Sequence, residues 1–157
     1  MLVRAPTADR MAPRADGSSW LWSLWGVVAI GVAYGLVYTS MRLAISYNLP
    51  QDDVTANILA QTLEPGYVVR QPPLLEWLLW SVQRLTGPTL LSFLIIKYGL
   101  LTATFAFLYL VGKRVFADLR WAAIGALSPL LLYQIGWNLH EGVTHTMALI
   151  CAVAASM

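Results

Sequence analysis

Two apolar runs, each long enough to cross a lipid bilayer, constrain this chain more than anything else in it. The first is "WLWSLWGVVAIGVAYGLVYTS", starting at Trp20, and the second is "LLSFLIIKYGLLTATFAFLYLV", starting at Leu90. At ~1.5 Å of rise per residue, about 20 helical residues cover a hydrocarbon core ~30 Å thick, and a helix satisfies its own backbone there. Composition agrees, since 58% hydrophobic and 11% charged residues leave too little polar surface for a soluble globule of 157 residues. The expected fold class is therefore all-α, a polytopic transmembrane helical protein. Spans are expected over about 20–41 and 90–111. A third is expected over about 121–137 with a kink at Pro129, and a fourth starts near 143. Only about 15 residues remain after that point, fewer than a crossing needs. Residues 20–157 are thus expected to form the N-terminal part of a longer transmembrane domain.

Residues 1–19 carry Arg4, Arg10, Arg14, Asp9, Asp16 and two prolines with little to bury, and read as a disordered tail. The run after them is longer than a signal-peptide core and lacks a small-residue cleavage pattern, so it reads as a retained helix capped by Ser18 or Ser19. Basic residues cluster in the tail and again at Lys113, Arg114 and Arg120. The positive-inside rule places both clusters in the cytoplasm and the loop over about 46–88 outside, as expected for a multi-pass protein of the plasma (inner) membrane. The "NLHEGVTH" turn then lies outside too. A net charge of +2, held at the ends of apolar runs, speaks of orientation in a bilayer and not of nucleic acid. Cys151 reads as a small buried hydrophobe. The tryptophans at 20, 22, 25, 77, 80, 121 and 137 read more readily as an interface belt than as a sugar platform.

The long loop holds "QDDVTANILAQTLEPGYVVRQPPLLE" from Gln51 to Glu76. Asp52 or Asp53 can cap a short helix running to about Leu63, whose Val54, Ile58, Leu59 and Leu63 form an apolar side suited to the membrane surface. Pro65 and Gly66 end it, and Pro72-Pro73 open a second amphipathic interfacial helix with a polar stripe of Glu76, Trp80, Gln83 and Arg84. A cap uses one carboxylate of the pair. The other is left for a hydrogen bond, a cation or proton transfer.

The order Asp52-Asp53, Ala60-Gln61, Gly66-Tyr67 and Pro72-Pro73-Leu74 with Trp77 resembles the first outer loop of membrane glycosyltransferases of the GT-C fold. It is most similar to the protein O-mannosyltransferase-like group, which includes the aminoarabinose transferases of lipid A. The likeness continues through Lys97 early in the second span and through the polar turn with Asn138, His140 and Glu141. It implies an enzyme of the cell envelope that moves a hexose or pentose from a polyprenyl-phosphate donor to a lipid, glycan or protein acceptor on the outer face, with inversion. It implies Asp52 as catalytic carboxylate, with Asp53 beside it. A carboxylate fits that role, because the attacking hydroxyl must lose a proton while the phosphate leaves already ionised. Arg70 and Lys97 are the implied phosphate contacts, and Tyr67, Gln71, His140 and Glu141 complete the substrate-binding set. The chain departs from the group at Arg70-Gln71, where relatives commonly carry His or Glu-Lys.

Each of these residues has a plainer reading. Lys97 can snorkel to headgroups, and Glu141 can cap the fourth span. Glu141 and His145 lie four apart and, with Asp52, could hold a divalent cation; no other cofactor is implied. Two further classes stay open. In a transporter the acidic residues would line a cation path, although such sites belong near mid-bilayer. In a truncated scaffold the loop would only dock membrane lipids or a partner.

Overall fold

The computed structural model describes residues 20–45, 51–66, 73–136 and 144–157. Among them every regular element is helical: α1 (Leu24–Ile45), α2 (Gln51–Leu59), α3 (Leu74–Thr86), α4 (Leu90–Val115), α5 (Leu119–Leu127), a 3-10 turn (Ser128–Leu131), α6 (Tyr133–Gly136) and α7 (Thr144–Ser156). Two are long and apolar enough to cross a membrane. α1 has 22 residues at mean hydropathy 1.6 and α4 has 26 at 1.8, lengths of about 33 and 39 Å.

Both helices begin or end later than the apolar runs suggest. Trp20–Ser23 forms a turn closed by the Ser23 amide on the Trp20 carbonyl (3.0 Å). The Ser23 hydroxyl then accepts from the Gly26 amide at 3.2 Å, so Ser23 caps α1. Ser18 and Ser19, the expected caps, lie outside the described residues. α4 runs on to Val115, which puts Lys113 and Arg114 in its last turn, where cations complement the helix dipole.

α4 is the hub, packing against α1, α3, α5 and α7. Its contact with α1 is antiparallel: Tyr109 donates its hydroxyl to the Trp22 carbonyl at 2.8 Å, while toward the other end Gly35 faces Tyr98. Val27, Gly31 and Gly35 form the buried stripe of α1, and a Cβ at Gly35 would sit 2.8 Å from the Cβ of Tyr98. In lipid no hydrophobic force draws helices together, so glycine spacing of this kind gains dispersion contact by letting backbones approach. Small residues serve α5 in the same way. Ala122, Ala123 and Ala126 are buried against α4, with Ala122 3.1 Å from where a Gly112 Cβ would stand. α7 contributes Met147, Ala148, Ala154 and Cys151, which is buried as a small hydrophobe.

The third apolar run is interrupted more sharply than a kink. α5 stops at Leu127, Pro129 occupies the 3-10 turn, Leu132 is extended and α6 is a single turn. Proline has no amide to continue the ladder, and Ser128 donates its hydroxyl back to the Gly125 carbonyl at 2.8 Å. α5 alone, at nine residues, covers only about 14 Å. The Gly136 carbonyl beyond the break is satisfied by the Tyr34 hydroxyl of α1 at 3.0 Å, as a part-buried backbone acceptor requires.

α2 and α3 pack on the first half of α4 through Ala56, Ala60, Leu75, Leu79, Phe93 and Ile96. α2 ends at Leu59, short of the expected Leu63, and turns through Thr62. Its larger apolar residues Val54, Ile58 and Leu63 face outward, while Asp53, Ala56 and Ala60 face the protein. Gln83 of α3 ties the two helices together, donating to Asn57 Oδ1 (2.7 Å) and accepting from Gln61 Nε2 (3.2 Å). Trp77 donates its indole N–H to the Glu64 carbonyl at 2.8 Å. Arg84 stacks 4.9 Å from the Trp80 ring. Glu76 departs from the polar stripe expected of α3, because it is 3% exposed.

Candidate active site at the junction of α1, α2 and α4

The acidic pair lies within the first turn of α2, since that helix begins at Gln51. Neither aspartate therefore precedes the helix in the capping position expected of it. Both sit where the partial positive charge of the helix N-terminus favours a carboxylate. The Asp53 side chain turns inward and is 3% exposed. Its inward placement follows from helix period, because Asp53, Ala56 and Ala60 recur at i, i+3 and i+7 along the face that meets α3 and α4. The backbone of Asp52 belongs to the same turn, and its side chain lies outside what the structure describes.

Lys97 approaches from α4 and is 2% exposed. That burial takes it off the lipid-facing surface, so it does not snorkel to headgroups. Its ammonium is within electrostatic reach of Asp53, which attracts it, and of Arg42, which repels it. Arg42 occupies the last turn of α1 and also acts on Tyr98. Three helices thus bring two cations and one carboxylate to a common junction. Arg42 and Asp53 each have further interactions there, so the junction is a network of charges around the buried Lys97. A charge buried at this depth in an apolar bundle is costly unless a partner or ligand compensates it.

Tyrosines line the α1–α4 side of the junction. Tyr34 and Tyr38 lie 4.5 Å apart between ring centroids with their planes tilted by 44°, and Tyr98 meets Tyr34 edge-on at 6.3 Å. Tyr38, Met41, Arg42, Ile45 and Tyr98 line a half-open pocket of about 180 Å³. Arg42 and Tyr98 were not among the residues singled out from the sequence. A charged residue in the last turn of a membrane-length helix was the available signal for the first. Glu76, on α3, is a second buried acid, and its Oε2 has no hydrogen-bond partner among the described residues.

The remaining sequence candidates are not brought together by what is described. Tyr67, Arg70, Gln71, His140 and Glu141 lie outside the described residues, and so does the side chain of His145, whose backbone is in the first turn of α7. The proposed cation ligands Asp52, Glu141 and His145 all fall in this group. Among the described residues no set of three or more His, Cys, Asp or Glu gathers as metal ligands.

Over most of its length the chain is similar to two lipopolysaccharide core galacturonosyltransferases of Rhizobium johnstonii. It is 31% identical to RgtA over 120 residues, which is 76% of this chain and 24% of that protein. It is 30% identical to RgtB over 130 residues, 83% of this chain and 25% of that protein. The chain therefore spans about a quarter of the length of the curated relatives it matches. No protein-family model and no solved structure matches it. The relatives' names support a glycosyltransferase family for this sequence, and lend nothing to the narrower likeness to O-mannosyltransferases or aminoarabinose transferases.

Proposed function

We propose that this chain belongs to a membrane glycosyltransferase that moves a sugar from a polyprenyl-phosphate donor to an acceptor on the outer face of the membrane. The observation that carries the reading is the junction itself: buried Lys97 faces buried Asp53 in the same helical turn as Asp52, with Arg42 alongside. Cations beside carboxylates are what attack on a sugar phosphate needs. Asp52 takes the proton of the acceptor hydroxyl as its oxygen bonds to the anomeric carbon. The carbon–oxygen bond to phosphate breaks, its electron pair leaves with the phosphate, and no acid is required. Attack opposite the leaving group inverts the anomeric carbon. Lys97, with Arg70 as a second phosphate contact, steadies the departing charge.

The names of the two relatives suggest galacturonic acid as the sugar and the lipopolysaccharide core as acceptor. The basic clusters at the tail and at Lys113 to Arg120 support an orientation with the α2–α3 loop outside, in a multi-pass protein of the inner membrane. The test is transfer by the full-length protein from a polyprenyl-phosphate-linked uronic acid to lipopolysaccharide core, with the product identified by mass spectrometry. Transfer from a water-soluble nucleotide sugar in the absence of any lipid carrier would reject the reading.

A further inference from the structure

α2 meets the protein with its smallest residues. Ala56 and Ala60 are buried, whereas Val54 and Ile58, which carry far more apolar surface, are exposed. Hydrophobic burial alone would favour the opposite choice. At ~100° per residue, turning α2 by about one residue exchanges the ridge of Asp53 and Asn57 for that of Val54 and Ile58, and two alanine methyls give little to resist such a turn.

What resists it is an amide clasp. Gln83 of α3 donates to Asn57 Oδ1 at 2.7 Å and accepts from Gln61 Nε2 at 3.2 Å, and the same Gln61 nitrogen donates to the Asn57 carbonyl at 2.8 Å. Asn57 follows Asp53 by one turn on the same ridge, and Gln61 stands in the turn that closes α2. One side chain of α3 thus grips α2 at two points, and rotation by one residue would break both bonds, which weaken steeply with distance and angle. The indole N–H of Trp77 on the Glu64 carbonyl lies past the end of α2, so it guides the chain's path without setting the helix's rotation. α3 is itself seated on α4, through Leu75 and Leu79 against Phe93 and Ile96, and Lys97 is the next residue of α4. Carboxylate and ammonium are therefore placed relative to each other through a closed path, from α4 to α3 to α2 and back.

We infer that Gln83 is a positioning residue of the transfer reaction: through Asn57 and Gln61 it sets the rotation of α2 that brings Asp53 to Lys97, and with it the placing of the turn that holds Asp52. The inference rests on the transferase reading and adds to it a residue that touches neither donor nor acceptor.

The experiment measures kcat and KM of the full-length protein in detergent micelles, with decaprenyl-phosphate-linked galacturonic acid as donor and lipopolysaccharide core as acceptor, per folded enzyme. Gln83→Leu should lower kcat about 10- to 100-fold, the scale of a catalytic group displaced by ~1 Å, with KM for donor within about threefold of wild type. Gln83→Glu and Asn57→Asp should each keep kcat within about threefold, because either carboxylate still accepts from the opposite amide. Combined, they set two acceptors of like charge face to face, and kcat should fall as far as in Gln83→Leu. Asn57→Asp with Gln83→Lys remakes the tie as an ion pair and should recover turnover. A role in stability alone would lower Tm and leave this pattern of loss and rescue in kcat unseen. Should Gln83→Leu fold poorly, the charged variants carry the comparison on their own. Wild-type kcat in Gln83→Leu, or a double acid variant no worse than the product of its two single losses, overturns the inference and leaves the transferase reading standing. Failure of the wild-type protein to transfer from the lipid donor would sink that reading, and this inference with it.

Discussion

Replacing Gly35 by alanine isolates the contact that holds α1 against α4. The new Cβ would lie 2.8 Å from the Cβ of Tyr98 and 3.2 Å from its Cγ. Neither atom is the loose end of a side chain, so the helices must separate or Tyr98 must leave its position. Overpacking of this kind costs about 1–3 kcal/mol. Alanine also returns up to about 1 kcal/mol of helix propensity, which blurs a single measurement. Gly99→Ala supplies the control, because it collects the same propensity gain on α4 and its Cβ meets nothing within 4 Å. Subtracting one variant from the other cancels the propensity and leaves the packing, a difference of about 1–3 kcal/mol. Unfolding by denaturing detergent in mixed micelles measures both. Equal stabilities for the two alanine variants would refute the close α1–α4 packing and the antiparallel register built on it.

The other perturbations probe the break, the orientation and the donor site. Tyr34→Phe removes the donor that satisfies the Gly136 carbonyl across the break and should cost about 1–3 kcal/mol in the same unfolding assay; no loss would mean that the carbonyl has another partner. Gly66 is exposed and has open space around its Cβ position, so Gly66→Cys should react with a membrane-impermeant maleimide in intact cells, and labelling only after lysis would invert the proposed orientation. Lys97→Ala and Arg70→Ala in the full-length enzyme should each raise KM for the lipid donor about 10- to 100-fold, the loss of a charge-assisted hydrogen bond worth about 1.5–3 kcal/mol. Lys97→Arg should retain more activity than Lys97→Ala, and unchanged KM in both alanine variants would remove these residues from the donor site.

Length and hydropathy were enough to find α1 and α4, because a membrane-length apolar helix needs no knowledge of its neighbours. The double proline and the Pro-Gly turn likewise marked the limits of the loop helices to within a few residues. What the sequence hid depends on pairs of elements. Glu76 stands only about 60° around α3 from Leu79, given ~100° per residue, so whether it faces water or protein is decided by which helices arrive. α3 meets both α4 and α7, and the acid is enclosed. The inner face of α2 was hidden for the same reason. Its large apolar residues Val54 and Ile58 face outward, and the stripe of Ala56 and Ala60 that packs with α3 and α4 beside Asp53 carries no signal until those helices are in place. The Gly31–Gly35 spacing was visible, but only the partner helix shows why it is there. Lys97 was open to two readings, and its burial beside Asp53 removes the lipid-facing one.

The central claim is that the carboxylate of Asp52 takes the acceptor's proton, and one comparison tests it most directly. Asp52→Asn keeps the size of the side chain and removes the base, so kcat of the full-length enzyme with a polyprenyl-phosphate-linked sugar should fall about 10²–10⁴-fold. Its KM for donor and its thermal unfolding should stay close to wild type. Lys97→Ala should show the opposite division, with the larger effect on KM. An Asp52→Asn enzyme that turns over at the wild-type rate would contradict the account.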